Sequence, residues 1–224
     1  MTLAARAWLS LVALAIVMGA ILFVPAGTIN YWQAWLYLVV FIGASAFTTG
    51  DLAKRDPALL ERRLRGGPTA EHEPAQRLIM VLASLCFVAL LVVPALDHRF
   101  RWSGVPLPMV LAGDVLVALG FYGILGVYRE NTYTAATIQV EAGQTVIATG
   151  PYAIVRHPMY ASALLYLVGT PLALGSYYGL LAFAAFVPVL IWRLLDEERL
   201  LARKLPGYQE YQRRVRYRLV PHVW

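Results

Sequence analysis

The sequence predicts an all-α fold, a polytopic transmembrane helical bundle that ends in a C-terminal helical hairpin. Of the 224 residues, 59% are hydrophobic and 14% are charged, whereas soluble domains have about 25% charged residues. The mean hydropathy is +0.61, and several long stretches contain no Asp, Glu, Lys or Arg. This composition excludes a soluble domain and a disordered chain. A disulfide scaffold is excluded because the chain has one cysteine, Cys86, which lies in an apolar stretch.

Residues 7–50 form the first uncharged stretch, and its 44 residues exceed the about 20 that one span needs. We therefore predict two spans, 8–25 and 31–49, with a break near Pro25 and Gly27. The first run is longer than the about 7–15 residues of a signal-peptide core, so we expect it to remain part of the protein. An aromatic belt at the membrane interface is expected where the second span begins, formed by Tyr31, Trp32, Trp35 and Tyr37.

A short interfacial helix is predicted after the second span. Asp56 and Pro57 suit the N-cap and first helical positions, and Gly66-Gly67 suits the end. The apolar face would consist of Leu59, Leu60 and Leu64, with Arg62, Arg63 and Arg65 directed toward lipid headgroups.

Four more apolar segments follow, at 78–96, 107–128, 159–174 and 178–193. A Gly-Ser-Tyr-Tyr-Gly turn separates the last two, which form the predicted hairpin. Gly120, Gly123 and Gly126 recur every three residues in the fourth segment and predict close helix packing. Asp114 lies near the outer end of that segment, where we interpret it as an interfacial carboxylate. All six segments belong to one membrane domain, residues 1–224.

The basic residues divide unevenly between the two sides of the predicted membrane. Seventeen of the 19 Lys and Arg residues fall on the side that carries both termini, and only Arg99 and Arg101 fall on the other. The positive-inside rule then places both termini in the cytoplasm. The net charge of +6 is explained by this topology and by anionic lipids, so no nucleic-acid partner is predicted. The short loops favour a bacterial inner membrane.

Candidate chemistry concentrates in the C-terminal region 129–224, which begins with a polar loop. The loop ends in the motif Gly150-Pro151-Tyr152-x-x-x-Arg156-His157-Pro158-x-Tyr160. Pro158 suits the first position of a helix, with His157 near the N-cap. Because a helix N-terminus attracts negative charge, Arg156 and His157 predict an anion site, with headgroup anchoring as the alternative. Residues 137–140 and 145–147 are predicted to form a short hairpin-like excursion.

At the far end of the hairpin, Arg193 and Glu197 are four residues apart and share one helical face. The hairpin returns this region, with its acidic run Asp196-Glu197-Glu198, to the end that carries Arg156 and His157. The opposed charges suit a zwitterion, such as the amino-acid end of a ligand. An ordinary salt bridge at the membrane boundary is the alternative.

Two common kinds of site are not indicated. The sequence contains neither Gly-x-Gly spacing nor a Walker-type Gly-Lys-Ser/Thr, which argues against a Rossmann domain and an ATPase. The four histidines occur singly, at positions 72, 98, 157 and 222, so we predict no metal site.

These C-terminal motifs resemble those of the isoprenylcysteine carboxyl methyltransferase family of membrane enzymes. The resemblance spans about residues 131–221, and implies a methyltransferase with a cytoplasmic site for S-adenosyl-L-methionine that needs no Rossmann domain. It rests on the Gly150–Tyr160 motif, the apolar hairpin, Asp196-Glu197-Glu198-Arg199-Leu200-Leu201, Gly207-Tyr208-Gln209-Glu210-Tyr211 and Arg218-Leu219-Val220-Pro221.

The resemblance also implies roles for individual residues. Arg193 corresponds to the arginine that meets the substrate carboxylate, and together with Tyr160 and Glu197 it makes up the implied catalytic set. The implied cofactor contacts are Gln139, Gln144, Thr145, Val146, Ile147, Tyr152, His157, Pro158, Met159, Tyr160 and Glu197.

The chain departs from the family pattern at positions that concern the substrate. Gln144 stands where eukaryotic members carry a histidine, and Leu205-Pro206-Gly207 replaces a Phe-Gly-containing helix. The implied acceptor is the carboxylate of an isoprenylcysteine or of another lipophilic molecule. A phospholipid amine or a small thiol is the alternative acceptor. An NADPH-dependent sterol-type reductase, whose hairpin is also similar, and a non-enzymatic transporter or assembly factor are the alternative functions.

Overall fold

The computed structural model describes residues 1–66, 74–134 and 143–224, and every regular element within them is helical. The all-α prediction is confirmed. A 3₁₀ turn, Gly150–Ala153, precedes α6. The helices are α1 (Leu3–Ala26), α2 (Trp32–Arg55), α3 (Pro57–Leu64), α4 (Pro74–Phe100), α5 (Leu107–Glu130), α6 (Pro158–Ala173), α7 (Gly179–Lys204) and α8 (Tyr208–Arg214).

Five of these helices, α1, α2, α4, α5 and α7, are long and apolar enough to cross a membrane. The protein is therefore a multi-pass membrane protein, although α6 does not match the length expected of a sixth span. Its 16 residues extend about 24 Å, less than the about 30 Å of a hydrocarbon core. Helix α6 still extends between the two ends of the bundle. At its start, His157 contacts Glu198, and just beyond its end, Ser176 contacts Asp97.

Glycine allows α5 to lie directly against α6. A Cβ atom at Gly113 would lie 2.3 Å from the backbone nitrogen of Ala173, and one at Gly120 would lie 2.8 Å from the Ser162 carbonyl oxygen. At Gly123 the added atom would meet the Ser162 side chain, whereas Gly126 has no such neighbour within 4 Å. The predicted packing role is confirmed for Gly120 and Gly123 and is wrong for Gly126.

Asp97 fixes the turn of the hairpin to the end of α4. Its carboxylate accepts hydrogen bonds from the Ser103 amide (2.7 Å), the Ser103 hydroxyl (2.6 Å) and the Ser176 hydroxyl (2.5 Å). The Ser176 hydroxyl oxygen in turn accepts from the Gly179 amide at the start of α7 (2.9 Å). Helices α6 and α7 are thus held in register at the end of the bundle far from the polar loop.

The short helix predicted after the second span is confirmed as α3: the Asp56 carboxylate accepts from the Leu59 amide, and Leu59 and Leu60 are buried. The aromatic belt is half wrong. Trp32 and Trp35 are exposed, but Tyr31 and Tyr37 are fully buried because their hydroxyl groups find partners inside the bundle. These partners are the Leu174 carbonyl for Tyr31 (2.6 Å) and the Thr170 hydroxyl for Tyr37 (3.2 Å).

Asp114 is not the interfacial carboxylate that its position predicted. Its side chain belongs to a residue that is only 6% exposed, because α5 is covered by α2 and α6. Neither carboxylate oxygen has a hydrogen-bond partner among the described residues.

Gly120→Ala is expected to lower the free energy of unfolding by about 1–3 kcal/mol, because the added methyl group would be forced against the backbone of α6. Thermal unfolding of the detergent-solubilised protein measures this change. Gly126→Ala is the matched control on the same helix, and we expect it to leave stability unchanged or slightly raised. Equal losses in the two variants would contradict the assigned contact.

Candidate functional site

A cavity of about 400 Å³ lies at the end of the bundle where α5 ends, α6 begins and α7 ends. Its volume falls in the range of small-molecule sites. One part of its wall is polar and the other is apolar. The polar part includes Asn131, Gln144, Tyr152, His157, Tyr160, Arg193 and Glu197, and the apolar part includes Met80, Ala83, Ile124, Ala163, Tyr166 and Leu190.

The division between the polar and the apolar part of the wall runs along α7. Leu190, Arg193 and Glu197 all line the cavity, and their spacing of three and four residues places them along one face of the helix. Leu190 lies toward the middle of the bundle and Glu197 toward the polar loop. The cavity therefore changes from apolar to charged along one helix, with Arg193 at the boundary.

The Gly150–Tyr160 motif contributes to the polar part of the cavity wall. Contacts with other segments hold it at its start and near its end. Gly150 has a φ of +54°, and a Cβ there would lie 2.8 Å from the Glu130 carboxylate. The backbone amides of Arg156 and His157 donate to the carbonyls of Tyr217 (2.9 Å) and Arg218 (3.0 Å). The start of α6 is thus joined to a segment about 60 residues further along the chain.

Glu198 contacts three basic side chains around the start of α6, namely Arg156, His157 and Arg218, which form the basic corner. One of its carboxylate oxygens, Oε1, lies 2.9 Å from Arg156 Nε and 3.1 Å from His157 Nε2, and the other, Oε2, lies 3.0 Å from Arg218 Nε. Glu198 is only 5% exposed. The predicted proximity of the basic motif and the acidic run is confirmed. The anion that meets Arg156 and His157 is the protein's own Glu198 carboxylate.

Glu197, in contrast, lies on the cavity wall. The Tyr160 hydroxyl donates to its carboxylate at 2.7 Å, and the Tyr160 ring lies edge-on to His157, with 5.7 Å between the ring centroids. A second phenol, Tyr152, accepts a hydrogen bond from the Asn131 amide (3.0 Å). The polar wall thus presents a carboxylate flanked by aromatic rings, which suits a ligand with a cationic group and a planar ring.

Arg193 is held by a residue that the sequence analysis missed. Its Nη1 donates to Oε1 of Gln76 on α4 (3.1 Å), and the amide nitrogen of Gln76 donates to Asp196. Gln76 is fully buried. Gln76 belongs to none of the motifs. In the sequence it stands out only as a polar residue beside Arg77 at the start of an apolar segment.

An apolar cluster formed by α8 and the residues on either side of it closes the cavity from the side of the polar loop. Its buried members are Leu205, Tyr208, Tyr211 and Val215, and they pack against Val146 and Tyr152. The Tyr211 hydroxyl donates to the Tyr152 carbonyl (2.8 Å). Burial raises the pKa of Tyr211 to about 12 and that of Tyr152 further, so both phenols keep their protons at physiological pH.

The structure brings the sequence-predicted site residues to this cavity, with one exception. Gln139, like residues 137–140 of the hairpin-like excursion, lies outside the described residues. Residues 144–148 are described and have no regular secondary structure. The predicted residues on the cavity wall are Gln144, Thr145, Val146, Ile147, Tyr152, His157, Pro158, Met159, Tyr160, Arg193 and Glu197.

Other parts of the site were not predicted as contacts: Gln76, Asn131, Glu198, Tyr208 and Tyr211. The two tyrosines and Glu198 do stand in the recognised motifs, which was a usable signal. Within the described part of the chain, no group of three or more His, Cys, Asp or Glu side chains is arranged to hold a metal ion.

Residues 108–206 match the family model of the phospholipid methyltransferases. A cobalt-zinc-cadmium resistance protein of Cupriavidus metallidurans is 30% identical over 174 residues, which cover 75% of this chain and 72% of that protein. Protein-S-isoprenylcysteine O-methyltransferase B of Arabidopsis thaliana is 30% identical over 62% of this chain and 70% of its own length. A delta(14)-sterol reductase of Mus musculus is 30% identical over 53% of this chain, but over only 32% of its own length.

Glu198→Gln is expected to destabilise the protein by about 3 kcal/mol, because it removes the carboxylate charge that three buried or half-buried basic side chains share. Thermal unfolding of the protein in detergent is the measurement. Glu197→Gln, the same change at the adjacent residue, is the control and is expected to lower stability much less. A smaller loss at Glu198 than at Glu197 would show that Glu198 does not hold this corner together.

Proposed function

The chain belongs to the isoprenylcysteine carboxyl methyltransferase-like family of membrane methyltransferases, and from this premise we propose that it methylates the carboxylate of a lipophilic, isoprenylcysteine-like acceptor. The methyl donor in this proposal is S-adenosyl-L-methionine. The observation that carries the proposal is the order of Leu190, Arg193 and Glu197 along one face of α7, which gives a single cavity an apolar and a charged half.

The charged half fits the donor. Glu197 offers a carboxylate for the ammonium group of the amino-acid moiety, and Tyr160 fixes that carboxylate by its hydrogen bond. Residues 144–148 run along the cavity without helix or strand, which leaves backbone groups for the polar edge of a nucleobase. The rings of Tyr152 and Tyr208 on the same wall suit an adenine face. Gln139 remains a proposed contact through the family resemblance alone.

The apolar half fits the acceptor. Met80, Ala83, Ile124, Ala163 and Leu190 come from four helices and line the part of the cavity that reaches into the bundle. Burial of a hydrocarbon chain against such side chains is favourable by about 25 cal/mol per Å². Arg193, at the boundary, would then meet the acceptor carboxylate through paired N–H groups.

In the proposed reaction the protein acts by positioning its two ligands and excluding water. When bound, S-adenosyl-L-methionine supplies an electrophilic methyl group on a sulfonium sulfur. Arg193 directs the acceptor carboxylate toward that carbon, while Glu197 and Tyr160 hold the donor in place. The new bond forms between the carboxylate oxygen and the methyl carbon as the carbon–sulfur bond breaks, so an ester and a neutral thioether result. No base is needed because a carboxylate already has the required electron pair.

A phospholipid amine is the second candidate acceptor, and the description of the matching family model favours it. An amine must lose a proton before or during transfer, and Glu197 is the carboxylate on the polar wall that would accept it. We also propose that the cavity end of the bundle faces the cytoplasm, as the distribution of basic residues indicates, and that the membrane is a bacterial inner membrane, which the short loops favour.

Purified protein in detergent is expected to bind S-adenosylhomocysteine with micromolar affinity in calorimetry. Glu197→Gln should weaken this binding by about tenfold or more, because a charge-assisted hydrogen bond is lost. Glu210→Gln, the same change at an exposed residue of α8, is the matched control and should bind normally. Absence of binding in folded wild-type protein, together with oxidation of NADPH, would instead support the reductase alternative.

Arg193→Ala is expected to raise the KM for a farnesylated N-acetylcysteine by about tenfold to a hundredfold, because the acceptor carboxylate loses its charged partner. Methyl transfer from radiolabelled donor at varied acceptor concentration measures this. The affinity for S-adenosylhomocysteine should stay near the wild-type value. Arg199→Ala, an exposed position on the same helix, is the control, and an unchanged KM in Arg193→Ala would overturn the assigned role.

A further inference from the structure

We propose that Gln76 is a positioning residue that sets the direction of the Arg193 guanidinium toward the acceptor. This inference rests on the proposed function, in which Arg193 receives the acceptor carboxylate. Gln76 touches neither half of the cavity directly, since it does not belong to the lining residues. It would act through Arg193.

The Gln76 amide makes two hydrogen bonds, each to a different side chain of α7. Its oxygen accepts from Arg193 Nη1 at 3.1 Å, and its nitrogen donates to a carboxylate oxygen of Asp196. Arg193 and Asp196 lie three residues apart on α7, so a single amide from α4 spans one turn of the facing helix. Gln76 is fully buried, which keeps water from replacing either bond.

The Gln76 amide satisfies both of its partners. A guanidinium can only donate hydrogen bonds, and an ionised carboxylate can only accept them. An amide carries one group of each kind at the same end of the side chain. Glutamate at this position would match Arg193 but oppose Asp196, and an apolar residue would remove one hydrogen-bond partner from the buried Arg193 and one from the half-buried Asp196, which is costly.

The contact with Gln76 determines how Arg193 would receive the acceptor carboxylate. A guanidinium binds a carboxylate best through two parallel N–H bonds, so the plane of the guanidinium must agree with that of the carboxylate. An arginine side chain has much rotational freedom, and each fixed contact removes part of it before the ligand arrives. Because Gln76 fixes one terminal nitrogen, it orients the plane that Arg193 presents to the cavity.

Gln76 also lies outside residues 108–206, which match the family model. It belongs to α4, whose residues Met80 and Ala83 line the apolar half of the cavity one and two turns further along. The contact therefore links Arg193, which lies within residues 108–206, to α4, which lines the apolar half of the cavity.

The test combines Gln76→Glu with Asp196→Asn. Gln76→Glu places two carboxylates side by side, and we expect the KM for farnesylated N-acetylcysteine to rise by about tenfold, with kcat much less affected. The double variant Gln76→Glu/Asp196→Asn restores a donor opposite an acceptor at both contacts, so it should return the KM to near the wild-type value. Asp196→Asn alone should differ little from wild type, because the asparagine can present its oxygen to Gln76.

Calorimetric affinity for S-adenosylhomocysteine should remain within about twofold of wild type in all three variants. Gln209→Glu, an identical change at an exposed position, is the matched control for the added charge. If Gln76→Glu does not fold, Gln76→Met, which has a similar volume and no amide, carries the same expected rise in KM.

Two results would overturn the proposal. One is an unchanged acceptor KM in folded Gln76→Glu or Gln76→Met, and the other is a loss that the double variant does not recover. A wild-type protein that binds S-adenosylhomocysteine but methylates no carboxylate acceptor would instead overturn the proposed acceptor, and this proposal with it.

Discussion

The buried carboxylate of Glu198 holds together three segments that are distant in sequence: the start of α6, the last turns of α7 and the chain near Arg218. Each of the basic partners would be costly to bury alone, because a charge in a poorly solvated environment needs a compensating charge. Their shared partner lets the Gly150–Tyr160 motif approach α7. The polar wall of the cavity exists only because these chain segments meet.

A second constraint acts at the opposite end of the hairpin. The glycines of α5 allow α6 to approach closely enough for backbone contact, and Asp97 fixes the turn between α6 and α7. With both ends of the hairpin fixed, the relative height of α6 and α7 is determined. Tyr160 on α6 consequently meets Glu197 on α7, and a hydrogen bond across the cavity results from packing many residues away.

Hydropathy and capping residues were sufficient to predict α1 to α7, and the ends of α3 and α5 fall within about two residues of the predicted ends, but α8 was not predicted. They were insufficient where a side chain's environment depends on distant contacts. Tyr31 and Trp32 look alike as interfacial aromatics, yet only Tyr31 finds a buried carbonyl, on a residue 143 positions away. Gln76 acquires its role from residues more than 110 positions away, and no local pattern contains that information.

The adjacent residues Glu197 and Glu198 show why motif recognition identifies a site more easily than it assigns roles within it. Successive residues on a helix point about 100° apart, so one carboxylate faces the cavity while its neighbour faces the basic corner. A motif contains both residues, but only the packing of α7 determines which of them reaches a ligand. Glu198 does not belong to the cavity lining, whereas Met80 and Ala83 of α4 line its apolar half. Substitutions at Met80 or Ala83 can therefore change the apolar half while the polar wall keeps its shape.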